Sequence, residues 1–283
     1  MFERRDGNGG GMPVHAGEGA TQNFGPLYNP AEVVSADHLT METAPRQIVA
    51  FGGGGFSMES GNPLLDDYVL GATGVQRPKV CFIPTASGDA DHYVVRFYRR
   101  FSAVADTSHV SLFRRDKGAG AVEGDLEFHL LSQDLIYVGG GSVLSLLGAW
   151  RAHGLDTILK RAWRRGVLLC GLSAGSLCWF SEAITAFHGP PEPVRGLGLL
   201  PHSNCVHYDG EAERGEVFRD MIATGQMREG YAAEDGAALH FEGRELLRAV
   251  ASRPKARAFR ISTDGEHPLA VSYLGERAAL AVA

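Results

Sequence analysis

Five residues, Gly171-Leu172-Ser173-Ala174-Gly175, carry the most specific chemical signal in the chain. They fit G-x-S-x-G, follow the apolar run Val167-Leu168-Leu169-Cys170-Gly171, and precede a helix predicted from Ala174. A strand–turn–helix corner of this kind holds its serine in a strained backbone conformation. The Ser173 Oγ would then project at the C-terminal edge of a sheet, with small neighbours leaving it room. Taken as five residues alone, the pattern is also that of an ordinary Gly-rich turn; the flanking strand and helix favour the nucleophile. A serine is weak at its own pKa and needs a base. Of eleven histidines, His207 stands at the end of a predicted strand, in Asn204-Cys205-Val206-His207-Tyr208-Asp209, where it can face the same sheet edge. His188, His202, His240 and His267 are its rivals. His92, His109, His129 and His153 fall in helices or connections and read as surface residues, while His15 and His38 precede the folded unit.

The base in turn needs an orienting acid. Glu234-Asp235-Gly236 follows a predicted helix at 211–226. Asp235, beside the glycine, is the first candidate and Glu234 the second; a solvated turn is the alternative for both. Acyl transfer further needs backbone N–H groups aimed at the developing oxyanion. The N–H of Ala174 is one candidate donor. Gly139-Gly140-Gly141 ends another predicted strand and supplies a second, best placed at Gly141.

The elements that must position these groups alternate. Apolar runs at 47–51, 79–84, 110–113, 135–138 and 167–171 are separated by helical spacing at 62–74, 89–105 and 143–164. Short apolar runs alternating with helices predict βαβ units and an α/β fold, a mostly parallel doubly wound sheet covered on both faces. After residue 237 the chain reads as short strands, such as 258–262 and 269–273, extending that sheet rather than forming a second domain. Residues 1–44 are rich in Gly, Pro and Ala without sustained periodicity and read as a disordered or loosely attached leader, with Met41 just ahead of the first strand. A single domain over 45–283 is expected.

Composition narrows the class. The 283 residues are 44% hydrophobic and 21% charged, enough to bury a core without staples. With 27 Lys+Arg against 33 Asp+Glu the net charge is −6, which leaves no basic excess for a nucleic-acid backbone. No run of about 18 apolar residues exists to span a membrane. The four cysteines, Cys81, Cys170, Cys178 and Cys205, lie in or beside apolar runs and form no C-x-x-C pair. Buried free thiols, with no apolar signal segment at the N-terminus, lead to the expectation of a cytoplasmic protein.

Ile83-Pro84-Thr85-Ala86, Val138-Gly139-Gly140-Gly141-Ser142, the Ser173 corner and Val206-His207-Tyr208, in that order, resemble the peptidase E (aspartyl dipeptidase) family of serine peptidases over residues 47–262. The resemblance implies a fold like that of class I glutamine amidotransferases, flavodoxin-like and three-layered, although the corner carries Ser where amidotransferase chemistry uses Cys. It implies Ser173 as nucleophile, His207 as base, Asp235 as acid, and oxyanion donation from Gly141 and Ala174. The implied activity is hydrolysis of dipeptides with an N-terminal Asp. A substrate-carboxylate Arg of the family falls near Arg214, in Glu213-Arg214-Gly215. Two departures are the leader and an Asp where the family typically has Glu. No metal or cofactor is required, the implied partner is a small peptide, and a homodimer is an admitted assembly.

Three other readings compete. An α/β-hydrolase esterase would use the chain order Ser173, Asp235, His267. A cyanophycinase-like enzyme would cut β-linked aspartyl-arginine. The same scaffold could also serve as a non-catalytic binding protein.

Overall fold

The structure, a computed structural model, describes residues 44–113 and 125–276. The expected leader lies outside these residues except for Ala44. In chain order the first elements are β1 (Gln47–Phe51), α1 (Gly55–Met58), α2 (Leu64–Ala72), β2 (Lys79–Ile83), a 3-10 turn (Thr85–Ser87), α3 (Asp91–Phe101) and β3 (Asp106–His109). There follow α4 (Leu126–Leu131), β4 (Leu135–Val138), α5 (Val143–His153), α6 (Leu155–Arg164), β5 (Leu168–Leu172) and α7 (Ala174–Leu177). The remainder runs β6 (Phe180–Thr185), β7 (Glu192–Val194), β8 (Leu200–Cys205), α8 (Ala212–Ala223), β9 (Gly230–Ala233), β10 (Ala237–Glu242), β11 (Glu245–Ala251), β12 (Ala258–Ser262), β13 (Gly265–Pro268) and β14 (Val271–Tyr273).

Among the described residues the main sheet has eight strands in the order β14-β11-β10-β1-β5-β4-β2-β3. The run from β1 to β3 is parallel throughout, as the apolar runs predict, and β10 joins β1 antiparallel. Both faces are covered, which is why these strands read as continuous apolar runs. Ile48, Ala50, Ile83, Ile136 and Leu169 face one core with α5 and α6. Val49, Phe51, Phe82, Tyr137 and Cys170 face the other with α1, α2 and α3. On α3 the residues Tyr93, Phe97 and Phe101 recur at helical spacing and are buried, with Phe97 stacked on Phe82 at 4.9 Å between ring centroids.

Several details differ from the sequence reading. The edge strand is the polar Asp106–His109, paired with β2, and not residues 110–113; an edge strand needs no apolar run. Residues 143–164 form two helices, because Gly154 adopts φ 69° and ends α5 in a left-handed cap before α6 begins. The later strands divide. β10, β11 and β14 extend the main sheet, while β12 and β13 belong to a second, six-stranded sheet, β13-β12-β9-β8-β6-β7. All four cysteines are buried and free, and burial pushes the Cys81 thiol up to about 12. No helix among the described residues is long and apolar enough to cross a membrane.

Where α2 meets the sheet, buried His240 of β10 is pinned by two hydrogen bonds. Its Nδ1 lies 2.6 Å from the Tyr68 hydroxyl and its Nε2 lies 2.9 Å from Gln47 Oε1. The amide oxygen can only accept, so Nε2 carries a proton, and in the neutral ring Nδ1 accepts from the Tyr68 hydroxyl. Burial, aided by the positive charge of Arg248, lowers its pKa from 6.5 to about 4. As pH falls through that window the unfolded chain binds a proton that the folded chain refuses. Stability on the order of 3 kcal/mol is therefore lost on acidification. Urea unfolding above and below this window should show a shallower pH dependence for His240→Gln than for the native chain.

Candidate active site

The site forms where the C-terminal ends of β1, β4 and β5 meet the ends of β8 and β9. Ser173 sits between β5 and α7 with φ 52° and ψ −117°, a conformation that non-glycine residues rarely adopt. The two glycines of the motif exist because backbone passes too close for a side chain. A Cβ on Gly171 would lie 2.4 Å from the Gly175 carbonyl oxygen, and one on Gly175 would lie 2.3 Å from that of Val138. The predicted corner is present, and Ser173 lines a cavity of about 610 Å³.

His207 lines the same cavity, two residues beyond β8 and itself at φ 53°. Its backbone N–H donates to the Gly52 carbonyl at 3.1 Å, and its Nδ1 lies 2.6 Å from Asp235 Oδ1. Of the two neighbouring acids only Asp235 reaches it. Buried Glu234 points the other way, accepting from the Arg257 backbone N–H and from its Nε, both at 2.8 Å. The rival histidines are held elsewhere. His188 Nε2 lies 2.7 Å from Ser142 Oγ, His202 packs edge-on to Tyr231, and His267 on exposed β13 lies 3.3 Å from Asp264 Oδ1. Two of the histidines read as surface residues are engaged instead, while His92 is exposed as expected and stands at the cavity. His109 bonds to Tyr98 and His129 to Ser108, both partly buried.

In the turn after β4 the backbone N–H groups find acceptors at every residue but one. Gly139 donates to Ile83, Gly140 to the Tyr93 hydroxyl, and Ser142 to Ala86. Among the described residues the N–H of Gly141 has no acceptor. Gly141 holds φ 136°, and a Cβ there would lie 2.2 Å from the Ala86 carbonyl oxygen. The Ala174 N–H, at the start of α7, likewise has no helical partner. Both residues line the cavity. Ile83-Pro84-Thr85-Ala86 thus shapes the site from beneath, through the Ala86 carbonyl.

Arg214 lines the cavity from α8 and is buried. Its Nη2 is ion-paired with Glu211 at 2.8 Å, and its Nε has no partner among the described residues. Among the described residues no group of three or more His, Cys, Asp or Glu is placed to hold a metal ion.

Two supports were missed in the sequence. Gly53 forms an isolated parallel bridge with Asp235, and a Cβ at Gly53 would lie 2.0 Å from Asp235 Oδ1 and 3.0 Å from His207 Nδ1. The signal was the run Gly52-Gly53-Gly54-Gly55 directly after a predicted strand. Asp209 accepts the Asp235 backbone N–H at 2.9 Å, a contact that spacing does not reveal.

The sequence profile of peptidase family S51 matches residues 48–248. Over 236 residues the chain is 44% identical to "Uncharacterized peptidase YgaJ" of Bacillus subtilis (strain 168), covering 81% of this chain and 100% of that protein. It is 24% identical over 196 residues to Peptidase E of Pasteurella multocida (strain Pm70), covering 65% and 78% of the two chains. The fold is shared with the crystal structure of a peptidase from an acI-B1 Actinobacterium, at TM-score 0.58 and 16% identity over 80% of this chain and 94% of that one. Fold and matches together define a serine-type peptidase. The chain belongs to peptidase family S51.

Gly53→Ala is expected to displace the Asp235 carboxylate from His207 and lower peptidase turnover by at least about 100-fold, toward the roughly 10⁴-fold that loss of a triad acid costs. A crystal structure of the variant should show the His207–Asp235 contact broken.

Proposed function

We propose that this peptidase cleaves short peptides, dipeptides with an N-terminal Asp foremost, through Ser173, His207 and Asp235. The observation that carries the reading is the 2.6 Å His207–Asp235 pair in the cavity that also holds the strained Ser173. With Nδ1–H donated to Asp235, Nε2 is the basic nitrogen. His207 takes the Ser173 proton as Oγ attacks the scissile carbonyl. Asp235 stabilises the imidazolium that forms. The N–H groups of Gly141 and Ala174 stabilise the tetrahedral oxyanion. His207 then protonates the leaving amine, and water hydrolyses the acyl-enzyme by the same steps in reverse.

A cavity of about 610 Å³ suits a dipeptide-sized ligand. The preference for Asp rests on the resemblance to peptidase E and on the buried Arg214 guanidinium lining the cavity. Arg214 is half-neutralised by Glu211, so its guanidinium must exchange or share that partner to hold a substrate carboxylate. The esterase arrangement with His267 has no geometric support, since that residue is tied to Asp264 and Ser262 on β13.

Hydrolysis of a panel of Asp-X, Glu-X, Ala-X and β-aspartyl-X dipeptides tests the reading. Ser173→Ala should lower turnover by about 10³-fold or more with the fold intact, and His207→Ala should follow it. His267→Ala should retain native turnover. Selective cleavage of Asp-X supports the aspartyl preference. Preferential cleavage of β-aspartyl-X transfers the assignment to a cyanophycinase-like activity.

A further inference from the structure

The cavity holding Ser173 has a neighbour. Across the Ser57–Met58 end of α1 and Arg96 of α3 lies a second cavity of about 540 Å³, with Asp66, Arg99 and Arg100 in its wall. Ser57, Met58 and Arg96 line both cavities, so the two adjoin there. Residues 96, 99 and 100 are three and four apart, which places the three guanidinium groups on one face of α3.

The charges in this second cavity do not balance. Its two carboxylates are already paired. Asp66 Oδ2 lies 3.2 Å from Arg100 Nε and its Oδ1 accepts from the Tyr137 hydroxyl. Glu59 accepts from Arg253 Nε at 2.5 Å and from Ser252 Oγ at 2.7 Å. Arg100 is further occupied by Asp67. Arg96, by contrast, donates among the described residues only to the Ser57 carbonyl, at 3.2 Å. Arg99 has no hydrogen bond or ion pair among the described residues. Two guanidinium groups with no carboxylate partner among the described residues therefore line a concave space next to the candidate site, and a guanidinium pairs best with a carboxylate, in a two-point contact.

We propose that this second cavity is an anion subsite of the peptidase, binding a substrate carboxylate on a residue other than the one that acylates Ser173. It follows that favoured substrates carry a carboxylate away from the acyl residue, on the leaving residue of a dipeptide or further along a longer peptide. The proposal rests on the peptidase reading of Ser173, and the two can fail separately.

The test is steady-state kinetics on tetrapeptides in which Glu replaces Gln at one position at a time, with the native enzyme, Arg96→Gln/Arg99→Gln and Arg96→Lys/Arg99→Lys. In the native enzyme Glu outside the acyl position should raise kcat/KM about fivefold, mainly through KM, as a solvent-accessible charge pair allows. The ratio should fall to about one in the Gln variant and recover in part in the Lys variant. A native ratio of one at every position outside the acyl residue overturns the proposal, as does a preference that survives in the Gln variant. Calorimetric binding of the same peptides to Ser173→Ala reads the preference without turnover. Tighter binding of Glu peptides that the native enzyme does not cleave would leave the subsite standing and defeat the peptidase reading. Equal binding of Glu and Gln peptides would defeat the subsite.

Discussion

The structure of the site depends on backbone packed against backbone where a Cβ cannot fit. Gly175 lies against the Val138 carbonyl, Gly171 against that of Gly175, Gly141 against that of Ala86, and Gly52 against those of Ala233 and Glu234. These contacts draw the ends of β1, β4, β5 and β9 close enough for groups from four chain segments to share one cavity. A Cβ at any of them would overlap a carbonyl oxygen, at 2.2 to 2.4 Å, and force the backbone segments apart. The strain at Ser173 persists because those neighbours leave the corner no other path.

Electrostatics then separates two adjacent acids. Glu234 and Asp235 follow each other in the chain, yet the bridge between Gly53 and Asp235 and the Asp209–Asp235 hydrogen bond turn the second toward His207. The first is consumed by Arg257. The shorter side chain suffices because the glycine at position 53 lets the Asp235 backbone approach.

Most of the parallel sheet was legible in the sequence because each strand from β1 to β5, the edge strand apart, is buried on both faces. Such burial writes itself as an apolar run. The Ser173 corner was legible because its steric demands select glycine at fixed offsets. The second sheet was legible only in part: the end of β8 before His207 and β12 read as strands, but not as members of a separate sheet. β8, with Pro201, His202 and Asn204, and β7, with Glu192 and Pro193, carry mixed residues that match no single period. The polar edge strand Asp106–His109 was misplaced for the same reason: exposure on one side removes the apolar pattern. Gly154 hid a helix break inside a continuous helical periodicity.

The sequence by itself determined the nucleophile corner, the alternation of strand and helix, and a short set of partners for Ser173, since these are consequences of local sterics and burial. Its net charge of −6 also shows no basic excess. Only the tertiary structure decided which histidine and which acid meet, because residues 173, 207 and 235 are joined by strand pairing across two sheets and not by any local spacing. The same holds for Gly53. Its importance is set by atoms from positions 207 and 235 that enter the space its missing side chain leaves.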